Sequence, residues 1–426
     1  MKILQAVSLY TLVGVIGAGI NFFVMPVLSH YLLPADYGTL SLFNTYITIL
    51  IPVVSLCAYS LLSVDYYKEK NRKIFGERFT SIQVIPFFTT GVLAIVVWLF
   101  YGRFADDLEL GNAGFHWGYI TLLITFLSIY YEQFVQFLIL QKKPGSFAAY
   151  NLSKVCVEVG LTFYFIIGKG WGWEGRMYSW LITTSIFFLL GARYYKKEGF
   201  IHGPVKWHYI REGIIFGSPL ILHNIGKFVV NQSDRLFIVK MISISEAGIY
   251  NIGYTVGSMV LVVVSAFFNY YTPFLMERLS DVTEDRKLQI VKMGYIYAIG
   301  CVLMLLLIAI LSPLFFRYFI DPLYYSGVNY VFWIALGYCF WGGYLLFSGF
   351  IFFYRRNSIL AWLAVFNVLT NILFNYFFIR TYGAIGAAYA TTVSFFLLMV
   401  LVAIVGQRLL PLPWMSFRKA FATKIA

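Results

Sequence analysis

The sequence predicts an all-α polytopic membrane protein, with twelve transmembrane helices in two six-helix bundles related as a parallel repeat. Three observations predict it. Apolar segments fill the 426 residues almost end to end, in a chain that is 60% hydrophobic and 12% charged with a mean hydropathy of +0.76. The basic residues collect on one side of those segments. The second half of the chain also repeats the polar pattern of the first.

A helix needs about 20 mostly apolar residues to cross the hydrocarbon core. Segments of that kind run near 7–29, 39–62, 81–101, 117–140, 147–168 and 176–195, then near 214–238, 248–273, 292–316, 328–353, 359–380 and 384–406. Two domains are expected, 1–205 and 206–426, each a six-helix bundle. The apolar run after Lys2 is too long for the core of a cleavable signal.

Orientation follows from the charges. Of 32 Lys and Arg, 23 fall on the side of the N-terminus, seven on the other, and Lys154 and Lys227 lie inside spans. The basic side is cytoplasmic by the positive-inside rule, and an even number of spans puts both termini there. The net charge of +13 therefore reflects topology and anionic headgroups. Loops as short as the one holding Lys142-Lys143 cannot form a folded basic face for nucleic acid. Cys57, Cys156, Cys301 and Cys339 lie within spans, show no metal or disulfide spacing, and read as small core residues. No phosphate-binding G-x-x-x-x-G-K-[ST] pattern occurs, and no cofactor is expected.

The repeat is visible in polar positions. Pro34-Ala35-Asp36-Tyr37-Gly38 follows the first span, and Ser245-Glu246-Ala247-Gly248-Ile249-Tyr250 follows the seventh. Aligning Gly38 with Gly248 also aligns Asn21 with Asn231. Lys142-Lys143 precedes the fifth span and Arg355-Arg356 the eleventh. In that register Lys154 matches Asn367 and Glu158 matches Asn371. Repeats six spans apart share one orientation, a geometry suited to alternating access around a site between two bundles.

An ionisable side chain near the bilayer centre costs on the order of 3 kcal/mol, so it normally faces a cavity or a partner. The seventh span carries His223, Lys227, Asn231 and Asp234 at helical spacing on one face. Gly217, Ser218-Pro219 and Gly226 predict that this helix bends. The stripe reads as a cavity wall, against the alternative of a polar seam between packed helices. The fifth span carries Lys154 and Glu158 at i, i+4, which reads equally as a self-neutralised pair or as functional charge. Asn367, Asn371 and Asn375 read as helix packing. Glu132 and Gln136 share a face of the fourth span nearer the cytoplasm, and Asn21 and Asn44 complete the polar set. Mid-membrane cations suit an anionic ligand, and a pyrophosphate between Lys227 and Lys154 fits that chemistry. Glu158 and Asp234 would exchange an ion or neutralise those cations. His223 is a group of the type that titrates near neutral pH. The outer loop 102–116 offers Asp106, Asp107, Glu109 and His116, which read as a solvated acidic loop rather than an acid–base centre.

At these residues the chain resembles the polysaccharide (O-antigen type) flippases of the multidrug/oligosaccharidyl-lipid/polysaccharide exporter superfamily. The likeness is carried by Leu28 to Gly38, by Ser218-Pro219-Leu220 with Asp234-Arg235, by Ala247 to Asn251, and by Asn371 to Asn375 with Gly383 to Thr391. It implies a V-shaped fold of two bundles in a bacterial inner membrane. It implies translocation of an undecaprenyl-pyrophosphate-linked oligosaccharide to the outer leaflet during lipopolysaccharide or other surface-polysaccharide biosynthesis. Proton or sodium coupling, or the membrane potential, would drive it, and a polysaccharide polymerase is the expected partner. Twelve spans set the chain apart from the lipid II branch, which usually carries two more. The competing readings are a cation-coupled multidrug-type antiporter, disfavoured by Lys227 and Lys154, and a membrane-embedded glycan enzyme, disfavoured by the short outer loops.

Overall fold

The computed structural model describes residues 2–107, 114 and 116–423. Glu109 lies outside the described residues, as do the side chains of Asp106 and Asp107. The described residues are helical with no strand, and eleven of the helical stretches are long and apolar enough to cross a membrane. This is a multi-pass membrane protein. The sixth expected span is also helical, Trp173–Lys197 (α8), but Glu174, Arg176 and its Ser and Thr residues leave it too polar to be counted with the eleven.

The chain packs as two compact units, Met1–Gly248 and Ile249–Ala426. The first holds Lys2–Ser29 (α1), Pro34–Ser55 (α2), Tyr59–Lys68 (α3), Arg72–Gln83 (α4), Ile85–Asp107 (α5), His116–Leu140 (α6), Pro144–Phe163 (α7), α8 and Trp207–Met241 (α9). The seventh span, α9, thus packs with the first unit, against α2, α3 and α4. The half-length division at 205/206 stands as a proposal about the repeat. A local reason for the packing is visible in the linker before α9. The Lys206 amide donates to Ser81 Oγ at 2.9 Å, the His202 amide donates to Thr80 Oγ1 at 3.1 Å, and Lys206 Nζ meets Glu77 Oε2 at 2.5 Å. The hydrogen bond to Glu77 holds the Lys206 ammonium above its ordinary pKa. Beside this linker the core is aromatic: Phe75, Phe79, Phe137, Tyr195 and Phe200 are buried and meet mostly edge to face, the geometry favoured by the ring quadrupole.

The second expected span is not one helix. α2 stops at Ser55 and α3 starts at Tyr59, with Leu56 and Cys57 at φ 47° and 50°. A side chain in the left-handed region is strained by about 1–3 kcal/mol and persists only where its surroundings over-determine it. Here side chains satisfy the freed backbone. The Cys57 amide donates to Ser55 Oγ at 3.2 Å, the Cys57 thiol to the Pro52 carbonyl at 3.9 Å, and Thr89 Oγ1 to the Val54 carbonyl at 2.6 Å. Gly217 of α9 lies against the break, where a Cβ would sit 2.1 Å from the Leu56 carbonyl oxygen. Only glycine fits there. The eighth expected span is likewise divided, into Ile244–Gly257 (α10) and Val260–Ser280 (α11).

The second unit continues with α11, Glu284–Phe319 (α12), Val328–Phe353 (α13), Asn357–Tyr382 (α14), Ile385–Leu409 (α15) and Phe417–Ala422 (α16). Its centre is α15, packed on α13 and α14 through fully buried Ala387, Ala388 and Ala390. Small residues let helix backbones approach where lipid supplies no hydrophobic drive for association. Asn367, Asn371 and Asn375 are all buried on α14, and Asn375 Nδ2 donates to Asn371 Oδ1 at 3.0 Å. Cys57, Cys301 and Cys339 are buried, whereas Cys156 is exposed on α7 and is not the core residue its span suggests.

The repeat is also written in the backbone. Lys142 and Arg355, at matched positions before the fifth and eleventh spans, have φ 55° and 57°. Each is followed by an amide that reaches back five residues: Lys143 to the Leu138 carbonyl at 3.0 Å, and Arg356 to the Ile351 carbonyl at 2.9 Å. Both are the same helix-terminating motif.

Candidate functional site

Besides the Arg78–Asp65–Glu212 group and the Asp234–Arg235 pair, two clusters of charge among the described helices of the first unit hold most of the expected site residues. One is centred on Glu158 of α7. Its Oε2 accepts from Lys154 Nζ at 2.7 Å, and its Oε1 accepts from Arg176 Nη2 and from Trp180 Nε1, each at 2.8 Å. Arg176 Nη1 also donates to Thr162 Oγ1 at 2.6 Å, and Lys154 lies 4.9 Å from the centre of the Tyr131 ring. The i, i+4 pair is therefore part of a larger network with a second cation, Arg176, contributed by α8. Counting formal charges, two cations and one carboxylate leave a net +1. The side chains are 10–17% exposed.

The other cluster surrounds a cavity of about 320 Å³ bounded by α2, α3, α6 and α9. Such a volume is at the lower end of ligand pockets, about 300–1,000 Å³. Its polar lining is Thr48 and Ser55 of α2, Tyr59 of α3, Glu132 of α6, and Asn224, Lys227, Asn231 and Gln232 of α9, with Cys57 at the helix break. Among the described residues, the side chains of Lys227 and Glu132 make no hydrogen bond or ion pair. Asn231 Nδ2 donates to the Lys227 carbonyl at 2.7 Å, and Asn224 Nδ2 to Cys57 Sγ at 3.4 Å. Through Asn224, α9 thus touches the break in the second span.

The structure brings only part of the expected set to this cavity. Lys227 and Asn231 line it; His223 and Asp234 do not. At 100° per residue the lining positions of α9 centre roughly 90–110° around the helix from both. Asp234 is buried instead, 2.8 Å from Arg235 Nη1, and both side chains are under 5% exposed. His223 is exposed on the helix surface. Asn21 is exposed on α1, its amide donating to the Gly17 carbonyl at 3.2 Å. Lys154 and Glu158 belong to the Glu158 cluster, connected to the cavity by the charge of Lys154 acting on Glu132. Of the lining residues outside the expected site (Thr48, Ser55, Cys57, Tyr59, Glu132, Asn224 and Gln232 among them), Glu132 is the carboxylate. Its only signal was a carboxyl within an apolar span without a basic residue one turn away on the same helix.

These features define a class: an all-helical polytopic membrane protein with a polar cavity among its helices. The chain is similar in fold to the lipid II flippase MurJ in an inward-closed conformation, with a TM-score of 0.74 and 13% identity over 93% of this chain and 87% of MurJ. It is also similar to an inward-facing multidrug resistance MATE family transporter of the MOP superfamily, with a TM-score of 0.65 and 12% identity over 95% and 96% of the two chains. Its relatives include two proteins of Haemophilus influenzae, the Lsg locus putative protein 1 and an uncharacterized membrane protein. They are 25% and 24% identical to it, over 66% of this chain in both cases and over 68% and 67% of their own lengths. Over residues 3–278 the chain matches the family described as polysaccharide biosynthesis protein, and it belongs to that family.

Proposed function

We propose that the protein is a flippase of the bacterial inner membrane, with both termini cytoplasmic. It moves an undecaprenyl-pyrophosphate-linked oligosaccharide from the cytoplasmic to the outer leaflet by alternating access during surface-polysaccharide assembly, upstream of a polymerase. The observation that carries this reading is the unpaired Lys227 ammonium in a cavity within the membrane helices, in a chain of a polysaccharide biosynthesis family. A cation without a protein partner in that setting calls for an anion from outside the chain. The cavity volume suits the pyrophosphate group rather than the sugars. Lys227 would hold the phosphoryl oxygens, with amide donors from Asn224, Asn231 and Gln232 around them. Lys154 would add a longer-range positive field, and Glu158 and Asp234 would balance the cations beside them.

The test is translocation of a short-glycan pyrophosphate-linked lipid in proteoliposomes, alongside protein-free and Lys227→Ala vesicles. Transport by wild type alone is expected. No transport by folded protein with several glycans would sink the reading. Glu132 in the cavity favours a second reading, export of small organic cations, for which dye efflux from the same vesicles is the check.

A further inference from the structure

We propose that Glu132 sets the anion affinity of the Lys227 cavity by taking a proton from water as the anion binds. The proposal rests on the reading of the cavity as an anion site. Its basis is a contrast between three carboxylates of the first unit. Glu158 is held by two cations and an indole, and Asp234 is closed onto Arg235. Among the described residues Glu132 has neither kind of partner, yet it lines the cavity with Lys227. An ionised Glu132 there opposes any anion that Lys227 attracts. A protonated one removes that repulsion and adds an O–H donor. Proton and anion binding are then reciprocally linked, each strengthening the other.

The groups around Glu132 allow this. Tyr59 of α3, Tyr131 beside it on α6 and Lys154 of α7 act on it electrostatically, and the Cys57 thiol shares the cavity. Lys154 is already hydrogen-bonded to Glu158, whose other oxygen is taken by Arg176 of α8. The wall contributed by α2, including Thr48 and Ser55, holds nothing that titrates in the physiological range, and α5 adds no residue to the cavity. His223 is the competing candidate, because histidine titrates near neutral pH and Lys227 is one turn away on the same helix. It does not line the cavity.

The experiment uses the full chain in lipid nanodiscs and a short-chain prenyl diphosphosugar. That diester of pyrophosphate keeps two negative charges throughout, so the probe does not titrate between about pH 5.5 and 8.5. Calorimetry is expected to show about tenfold tighter binding to wild type at the acid end, the size of one like charge removed from a partly hydrated site. Glu132→Gln should bind tightly at every pH, with no slope. Glu132→Asp should restore the slope, which separates loss of charge from loss of fold. His223→Gln should keep the wild-type slope. A slope that survives in Glu132→Gln, or vanishes in His223→Gln, overturns the assignment to Glu132 and leaves the anion site standing. No binding by wild type at any pH, indistinguishable from Lys227→Ala, overturns the anion reading and this inference with it.

Discussion

The Glu158 network and the Lys227 cavity are built from the same residue types in neighbouring helices, and they end in opposite states. Around Glu158 each charge has a protein partner within 2.8 Å. Around Lys227 the ammonium and the Glu132 carboxyl share a cavity without pairing. The difference comes from α8. It supplies Arg176 and Trp180 to the first cluster and nothing to the second. A charge that its own fold neutralises holds helices together, whereas one left open is available to a ligand. Similar spacing along a helix is compatible with both outcomes.

Three substitutions test that contrast. Glu158→Ala leaves Lys154 and Arg176 buried without their anion, and it should destabilise the fold by about 3 kcal/mol, the cost of breaking a buried pair from one side. Thermal unfolding in detergent would read this as a large fall in Tm, and an unchanged Tm would show that the network is not structural. Gly217→Ala forces a methyl against the Leu56 carbonyl and should cost about 1–3 kcal/mol as overpacking, readable in the same assay. A neutral result would mean that the break relaxes freely. Lys227→Ala should change stability by no more than about 0.5 kcal/mol, as for a side chain without partners, while lipid-linked glycan transport falls at least tenfold. A marked loss of stability in that variant would erase the distinction between the two clusters.

The sequence made much of this legible, and unevenly. Apolar length specified the helices, because a lipid-exposed backbone must satisfy its hydrogen bonds internally. The repeat reappears in the matched φ angles of Lys142 and Arg355. The 3.6-residue period located Lys227 and Asn231 on one face but could not say where that face ends, so His223 and Asp234 were grouped with them. Arg176 stands at the outer end of a span, where the sequence alone groups it with the loop charges. Its role depends on α8 packing against α7, a tertiary fact with no local signature. The break at Leu56–Cys57 was also hidden, since neither residue is a glycine and the strain is held by Ser55, Thr89 and Gly217 from three separate helices.

That break gives the second span the mechanics of a jointed strut rather than a beam. An intact helix can bend sharply only by opening its hydrogen-bond ladder, and in hydrocarbon each opened group costs several kcal/mol. Here the ladder is already interrupted, and the carbonyls of Pro52 and Val54, both buried residues, accept from the Cys57 thiol and the Thr89 hydroxyl. Turning α3 against α2 therefore exchanges these side-chain contacts and the backbone bond that crosses the joint, from the Ala58 amide to the Ser55 carbonyl at 3.0 Å, while the helices on either side stay whole. The joint also forms one wall of the Lys227 cavity and is held to α9 by Asn224, so any rotation at it changes the shape of the space in which an anion would sit.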